Sequence, residues 1–458
     1  MKLKTGFSLW FFAFLAVIFT FLSCGSPEPS FLYREDGYSD KFPREFLEYP
    51  DTQFAHISDI HVFDPFLGTS GVAWDSYMAK DRKLLAQSAE ILNTGLAQII
   101  SAGPQFIIVS GDLTKDGERL SHERVARSLA KVEAEGIDVY VIPGNHDILN
   151  PHSYSYFGTN QNKVDHITPE DFSKIYQDLG YDKALTRDSS SLSYLVEPTP
   201  GLWLLALDSA MYETNFADDY PKTEGSLRTA TLRWMENILQ EAQTKKKAVM
   251  VTLHHGLVEH WPGQAKFHPE YLVDHRDSIA QALAHYGVRF VLTGHYHSHD
   301  VAVKRFEKDN TWIYDLESGS LVTWPSPWRM MDIKNNRMTL TTGEVTSLPS
   351  IPDFGPFARN FVKQGLKGLT STAANKFFVA PEDQERIAEL SAEAFLNHYA
   401  GDENPPAWRN LSDTEGMGLM GKLMVWQLGY VLEGLWTDTE PSDRNITIDL
   451  KTGTWLQN

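Results

Sequence analysis

Five short segments carry side chains that bind metal ions or phosphate in other proteins, and each follows a run of apolar residues. They are Ser58-Asp59-Ile60-His61, Gly111-Asp112, Gly144-Asn145-His146-Asp147, His254-His255-Gly256 and Gly294-His295-Tyr296-His297. Carboxylates, neutral imidazoles and one amide suit divalent metals such as Mn, Fe, Zn or Co, whereas a thiolate site needs cysteine. Since Cys24 is the sole cysteine, the pattern predicts a site for two metal ions held by oxygen and nitrogen.

The elements around these segments alternate between short β-branched runs and amphipathic stretches from Phe54 to Leu292, which indicates a layered α/β domain. Strands are predicted at residues 53–58, 106–110, 139–143, 203–207, 249–253 and 289–293. Helices are predicted at residues 84–100, 121–135, 229–243 and 278–286. Each candidate ligand therefore falls just past the C-terminal end of a predicted strand, where open α/β sheets place their sites.

After His297 the pattern changes to strands, predicted at residues 301–306, 312–317 and 338–342, which would complete a second sheet. Beyond Pro349 helices are predicted at residues 384–398 and 417–435, followed by a short alternating stretch at 445–450. The run from His398 to Glu403 contains potential ligands, but its spacing favours a helix end and a polar turn over a metal cluster.

The order D-x-H, G-D, G-N-H-D, H and G-H-x-H resembles that of the calcineurin-like metallophosphoesterases, and the resemblance spans roughly residues 54–342. The longer stretches 111–118 and 141–147 look like the secreted bacterial branch that includes class III cyclic-nucleotide phosphodiesterases. The resemblance implies a four-layer α/β/β/α sandwich as the catalytic domain at residues 49–345. Residues 346–458 are then expected to form a small accessory C-terminal domain that is mainly helical.

The resemblance also implies a role for each matching residue. Asp112 is expected to bridge two divalent metal ions; one ion is held by Asp59, His61 and His297, and the other by Asn145, His254 and His295. The choice of His254 over its neighbour His255 comes from the family pattern alone.

Two further residues are expected to act in catalysis. His146 is expected near the leaving oxygen, where it can stabilise or protonate the departing group. Asp147 is expected to orient that imidazole, because carboxylates commonly fix histidine tautomers. Other histidines, such as His260 and His299, are expected to be supporting or surface groups.

The implied reaction is hydrolysis of a phosphoric ester by a hydroxide bridging the two metals. Small phosphodiesters, such as cyclic nucleotides or glycerophosphodiesters, are the leading substrates. The rivals are a periplasmic phosphomonoesterase, a lipid phosphodiesterase and, from another class, a non-catalytic metal-binding lipoprotein. Purple acid phosphatases have a tyrosine three positions after the bridging aspartate; here Lys115 stands there, which argues against a ferric-tyrosinate enzyme.

The N-terminus has the pattern of an export signal: Lys2 and Lys4 precede an apolar run at residues 7–22, and Cys24 follows in a sequence resembling a bacterial lipobox. We expect a signal peptide at 1–23, a lipid on Cys24 that anchors the protein at the cell-envelope membrane, and a tether at 24–48. Simple secretion or an uncleaved anchor are the alternatives.

The acidic net charge of the chain limits the classes of partner that it is expected to bind. Removing residues 1–23 takes two of 41 basic residues and none of the 60 acidic ones, which leaves 21 more acidic than basic residues. This balance argues against nucleic acid, because phosphate backbones are bound by clustered Lys and Arg. The expected partners are a small phosphorylated substrate and a membrane surface, and the oligomeric state is left open.

Overall fold

The computed structural model describes residues 28–34, 46–404 and 414–458. The predicted signal peptide, Cys24 and most of the tether lie outside these residues. Within the three described ranges, no helix combines the length and apolar character needed to cross a membrane.

Strands form two large sheets and one small hairpin. In chain order they are β1 (Thr52–Ile57), β2 (Phe106–Ser110), β3 (Asp138–Ile142), β4 (Tyr154–Phe157), β5 (Asn160–Lys163), β6 (Thr186–Arg187), β7 (Tyr194–Thr199), β8 (Leu202–Leu207), β9 (Ala248–Leu253), β10 (Phe290–Thr293), β11 (Val301–Phe306), β12 (Thr311–Glu317), β13 (Pro327–Lys334), β14 (Arg337–Glu344), β15 (Asn445–Asp449) and β16 (Trp455–Gln457).

Helices of widely different length connect or cover the strands. They are α1 (Val72–Met78), α2 (Ser88–Ala102), α3 (Arg119–Ala134), α4 (Pro169–Ile175), α5 (Asn215–Asp218), α6 (Thr229–Lys245), α7 (Gln264–Phe267), α8 (Arg276–His285), α9 (Phe354–Lys376), α10 (Pro381–Ala400) and α11 (Leu419–Leu435).

Each large sheet has seven strands and a parallel centre. The first has the order β16-β15-β14-β13-β1-β2-β3, and the second has the order β11-β12-β10-β9-β8-β7-β6. In the first sheet β1, β2 and β3 run parallel, and in the second β8, β9, β10 and β12 do so. The parallel strands are buried along almost their whole length, as expected for strands covered on both faces.

The two sheets pack face to face, with helices on the outer sides. The ring of Phe54 on β1 stacks on Phe106 of β2, 5.0 Å between centroids, and lies 6.5 Å from Phe290 of β10 in the second sheet. Apolar residues of α2 and α3 join this core, whereas α6 and α8 pack on the other face of the second sheet. The predicted four-layer α/β/β/α sandwich is confirmed.

The C-terminal segment contributes to both a helical unit and the first sheet. Helices α9, α10 and α11 form a third apolar cluster that also contains Trp261 and Tyr296. Strand β15 then pairs antiparallel with β14, in a register that joins Asp449 to Arg337, and β16 extends the edge. The predicted boundary near residue 345 stays a prediction, but the last strands beyond it belong to the sheet of the catalytic part.

Candidate metal centre

The candidate ligands meet at one edge of the sandwich because five strands from both sheets end there. Asp59 and His61 follow β1, Asp112 follows β2, and Asn145 follows β3. The second sheet supplies His254 after β9 and both His295 and His297 after β10. The carboxyl ends of parallel strands thus bring residues more than 230 positions apart into contact, as in the 3.2 Å between the Nε2 atoms of His61 and His297.

The backbone at this edge is strained. Five of the seven ligands have a positive φ, a conformation that costs a non-glycine residue roughly 1–2 kcal/mol; these are Asp59 (50°), His61 (36°), Asp112 (49°), His295 (78°) and His297 (70°). Such strain is commonly stored at functional sites. The positive φ angles direct the candidate ligands of each motif towards a shared centre, whereas regular strand geometry would direct successive side chains to opposite faces of the sheet.

Three motif glycines make room for the ligands. A Cβ on Gly144 would lie 2.2 Å from Oδ1 of Asp112, and one on Gly111 would lie 2.6 Å from Nδ1 of His254. A Cβ on Gly294 would lie 2.4 Å from Oδ2 of Asp59. Glycine is therefore required in these motifs because ligand atoms occupy the space of a side chain.

The first group of ligands surrounds an unsatisfied carboxylate oxygen. Oδ1 of Asp59 is fully buried without a hydrogen-bond partner, and it lies 3.4 Å from Nε2 of His297 and 3.7 Å from Nε2 of His61. Oδ2 of the same carboxylate accepts from Ser58 Oγ and from the backbone N–H of His295. Tetrahedral ligands about 2.1 Å from a metal lie about 3.4 Å apart, so these atoms have the spacing of a metal shell.

The second group is centred on His254. Its Nδ1 donates to the carbonyl oxygen of Ser110 at 2.8 Å, and its Nε2 lies 3.2 Å from Oδ1 of Asn145 and 3.4 Å from Oδ1 of Asp112. His295 completes the group with ligand atoms within 4.8 Å of those of Asp112 and His254. Fixing Nδ1 as the donor leaves the Nε2 lone pair of His254 for a metal.

Asp112 lies between the two groups. Its Oδ2 is 3.5 Å from Nε2 of His61, while its Oδ1 faces His254. One carboxylate oxygen is thus directed to each group, which is the geometry of a bridging ligand. The donor set and the unpaired Oδ1 of Asp59 fit two divalent ions.

Burial favours the neutral form of three candidate imidazoles, whereas at His254 the effect of burial is outweighed by Asp112, which raises the pKa to about 9. Burial lowers the pKa of His61, His295 and His297, so these imidazoles are neutral and their lone pairs are free. Burial also opposes ionisation of Asp112, but the nearby His254, His146 and His61 outweigh it and hold the pKa of Asp112 well below its usual range. The bridging carboxylate is therefore charged.

His255 is engaged elsewhere, although it follows His254 directly. Its Nδ1 lies 2.8 Å from Oγ of Ser209, and its Nε2 donates to the carbonyl of Thr223 at 3.0 Å. Both ring nitrogens thus have protein partners. Burial lowers the pKa of His255 to about 3, so the ring is a neutral group supporting the second ligand group.

His146 stands at the open side of the centre. Its side chain is 24% exposed, and its Nε2 lies 3.9 Å from Oδ2 of Asp112. The other nitrogen, Nδ1, donates to the carbonyl oxygen of Lys115 at 2.7 Å and lies 3.0 Å from Oδ1 of Asp116. Burial lowers the pKa of His146, but Asp112 and Asp116 raise it to a net value above that of free histidine. The imidazole therefore suits a proton donor.

The expected partner of His146 needs correction: Asp116 faces the imidazole, in the place expected of Asp147. The Asp147 carboxylate accepts from the backbone N–H groups of Gly144, Leu113 and Thr114, and from the Thr114 hydroxyl. These bonds tie the loop after β2 to the loop after β3. Asp147 therefore positions the loops that carry Asp112 and Asn145, because its oxygens already have these donors.

Asp116 was not selected from the sequence, although it belongs to the run after the bridging aspartate. Lys115 is fully buried; its ammonium pairs with Asp116, lies 3.6 Å from Oε1 of Glu118 and sits over the ring of Tyr77 at 4.3 Å. The lysine at the tyrosine position of purple acid phosphatases thus anchors Asp116. A Lys-Asp pair three and four positions after the bridging aspartate was the available signal.

Comparison with known proteins agrees with this arrangement. Residues 52–299 match the model of the calcineurin-like phosphoesterase family. No curated protein sequence matches the chain.

Solved structures with a similar fold are distant. A dimetal phosphatase from Danio rerio has 16% identity over 65% of this chain and 97% of its own, with a TM-score of 0.45. Purple acid phosphatase PPD1 from yellow lupin has 9% identity over 66% of this chain and 52% of its own, with a TM-score of 0.37. These likenesses carry no functional argument, but the family match covers more than half of the 458 residues, and the chain belongs to the calcineurin-like phosphoesterases.

Proposed function

We propose that this hydrolase cleaves small phosphodiesters, with cyclic nucleotides or glycerophosphodiesters as the leading substrate classes. The observation that carries the proposal is the pairing of two converging ligand groups, bridged by Asp112, with an acid at their open side. His146 is that acid, 3.9 Å from the bridging carboxylate. A site of this composition suits ester hydrolysis more than passive metal storage, since storage requires no proton donor.

When two divalent ions are bound, they activate a shared water and stabilise the attacking and leaving oxygens. Asp59, His61 and His297 would hold one ion, Asn145, His254 and His295 would hold the other, and Asp112 would contact both. His146 Nε2 then gives its proton to the departing alkoxide. Asp116 and the Lys115 carbonyl keep the opposite nitrogen in place and stabilise the charged ring.

Charge balance favours a diester over a monoester. Two divalent ions with the carboxylates of Asp59 and Asp112 sum to about +2, and a hydroxide reduces this to about +1, which matches the single charge of a phosphodiester. Two cationic side chains close to the centre are partly compensated. The carboxylate of Asp81 lies 3.8 Å from Nζ of Lys83 and also acts on Arg82, whose guanidinium donates to the neutral Tyr399 hydroxyl at 2.8 Å.

The test compares a diester with a monoester that has the same leaving group. Protein stripped of metal and reloaded with Mn²⁺ is assayed on bis(p-nitrophenyl) phosphate and p-nitrophenyl phosphate, with Asp112→Ala as the background control. We expect kcat/KM to favour the diester by at least about 10-fold, or about 1.4 kcal/mol. The opposite preference would establish the rival phosphomonoesterase, and turnover of neither would revive the non-catalytic lipoprotein.

We also propose that the protein is exported and held at the bacterial cell envelope by lipid on Cys24. The support is the sequence alone: Cys24 follows an apolar run with two preceding lysines. Acyl chains would restrict the enzyme to a membrane surface. The same location gives the rival lipid phosphodiesterase its plausibility, and assays on phospholipid vesicles against soluble diesters separate the two.

A further inference from the structure

A further cluster of side chains of types that can bind a metal lies next to the G-H-Y-H motif, outside the dinuclear centre. Asp300 follows this motif, His398 lies in the last turn of α10, and Glu403 lies just beyond that helix. Their candidate ligand atoms all lie within 4.8 Å of one another. Nδ1 of His398 is 2.5 Å from Oε1 of Glu403 and 4.0 Å from Oδ2 of Asp300.

All three side chains are buried, and several of their polar atoms have no partner. The side chains of Asp300, His398 and Glu403 are each 1% exposed. Within residues 28–34, 46–404 and 414–458, no hydrogen-bond partner lies at Oδ2 of Asp300, Oε2 of Glu403 or Nε2 of His398. A buried carboxylate oxygen without a donor costs roughly 1–3 kcal/mol or more, so a cation that pairs with these oxygens would stabilise the arrangement.

In the part of the chain that the structure describes, the neighbouring cations do not pair with these oxygens. The buried guanidinium of Arg329 donates to the backbone carbonyls of Asp300, Glu317 and Asp443 and not to their carboxylates. His260 Nδ1 is 2.6 Å from Oδ1 of Asp300, which leaves Oδ2 of the same carboxylate free.

The surroundings are crowded with acidic groups. Burial, assisted by the other carboxylates of the cluster, raises the pKa of Asp443 well above its usual value and that of Asp438 to about 7. Burial likewise raises the pKa of Glu317, although His260 opposes the shift. These directions mean that further positive charge here would be stabilising.

We propose that Asp300, His398 and Glu403 form a third divalent-metal site, separate from the dinuclear centre. Two carboxylates and one imidazole suit Mn²⁺ or Zn²⁺. The ion would take the place of the hydrogen-bond proton between His398 Nδ1 and Oε1 of Glu403, which would be released to water, and it would give Oδ2 of Asp300 a partner. His260 would then hydrogen-bond to Oδ1 of Asp300, while Oδ2 of the same carboxylate would face the ion. Groups that support metal ligands commonly bind them in this way.

The position of the site suggests its role. The His398 ring packs on Tyr296 with 5.6 Å between centroids, and Tyr296 stands between the ligands His295 and His297. The ion would therefore fasten α10 to the loop that carries two ligands of the dinuclear centre. We assign it a structural function, coupling the C-terminal helices to the geometry of the catalytic loop.

Metal stoichiometry tests this proposal. Purified, tag-free protein is stripped with chelator, saturated with Mn²⁺ or Zn²⁺ alone, desalted and analysed by elemental mass spectrometry. We expect three equivalents in the wild type, two in Asp300→Asn and in His398→Gln, and one in Asp112→Ala. Adding Asp300→Asn to Asp112→Ala should remove that last equivalent.

The matched control is Asp402→Asn, which changes a carboxylate next to Glu403 whose Oδ1 already accepts from Ser442 and from the backbone of Asp443. It should keep three equivalents. The wild-type measurement requires no variant to fold, and a saturated value of two would overturn the proposal. Three equivalents that survive both Asp300→Asn and His398→Gln would overturn it as well, since the third ion would then lie elsewhere.

Discussion

The contact between His146 and Asp116 makes the most specific prediction about catalysis. Asp116→Asn replaces a charged acceptor 3.0 Å from Nδ1 of the imidazole with a neutral one of the same shape. The carbonyl of Lys115, 2.7 Å from the same nitrogen, still orients the ring. The substitution therefore reduces the fraction of His146 that carries a proton without removing the acid.

The size of the effect follows from the local charges. Two unit charges 3.0 Å apart at an effective dielectric of about 20 attract by roughly 5 kcal/mol, which is an upper bound. Lys115 pairs with the same carboxylate and cancels most of this field. A remaining effect of about 1.5–3 kcal/mol, typical of a hydrogen bond to a charged group, corresponds to a rate loss of roughly 10- to 100-fold at pH above the pKa of His146.

The loss should depend on the leaving group and on pH. An alkoxide needs the proton, whereas p-nitrophenolate departs without it. The loss should therefore appear with a dialkyl diester and not with an alkyl p-nitrophenyl diester, which expels p-nitrophenolate. Asp116 raises the pKa of His146, so its replacement lowers that pKa. The alkaline limb of the rate profile, where the acid loses its proton, should therefore move to lower pH.

Asp147→Asn is the matched control, because it makes the same chemical change beside His146 in the sequence but on a carboxylate bonded to the loop backbone. We expect it to lower thermal stability and metal content and to slow all substrates equally. The reasoning is refuted if Asp147→Asn produces the leaving-group dependence, or if Asp116→Asn slows p-nitrophenolate and alkoxide departure by the same factor.

Four other substitutions have defined outcomes. Asp112→Ala should lose both ions of the dinuclear centre together with activity, as measured by elemental analysis, because the carboxylate faces both ligand groups. Gly144→Ala should do nearly the same, since its Cβ would lie 2.2 Å from Oδ1 of Asp112, and metal titration should show weakened binding. His146→Ala should keep its metal while kcat falls roughly 10²–10⁴-fold for alkoxide leaving groups. Cys24→Ser should abolish partition into detergent, and the intact mass of the mature N-terminus would show whether lipid is attached.

Most of the architecture could be predicted because the apolar runs are long and the motifs sit at their ends. The strand predicted at 106–110 matches β2, and the others around the site agree within one or two residues. Strand β13 was missed, because Arg329 interrupts its apolar pattern although the guanidinium is fully buried on backbone carbonyls. Helix α9 was also missed, although it packs in the cluster of the C-terminal helices.

The identity of supporting residues could not be predicted in the same way. A ligand's place follows from the end of a strand, but the direction of a carboxylate in a turn depends on which backbone donors lie nearby. Asp147 is adjacent to His146 in sequence, yet three backbone N–H groups lie within reach of it and hold it beneath the loops. Asp116 lies 30 positions before His146 and reaches it only because the loops after β2 and β3 are neighbours.

The run from His398 to Glu403 also shows that local sequence does not identify the tertiary partner of a polar side chain. Its spacing correctly indicated a helix end, since α10 ends at Ala400. Local spacing could not reveal Asp300, which lies almost 100 positions earlier. Its Oδ2 faces His398 because α10 packs on the loop that carries His295 and His297. Whether such a run is a polar turn or part of a metal site is thus decided by the partner that the fold supplies, and only tertiary structure identifies that partner.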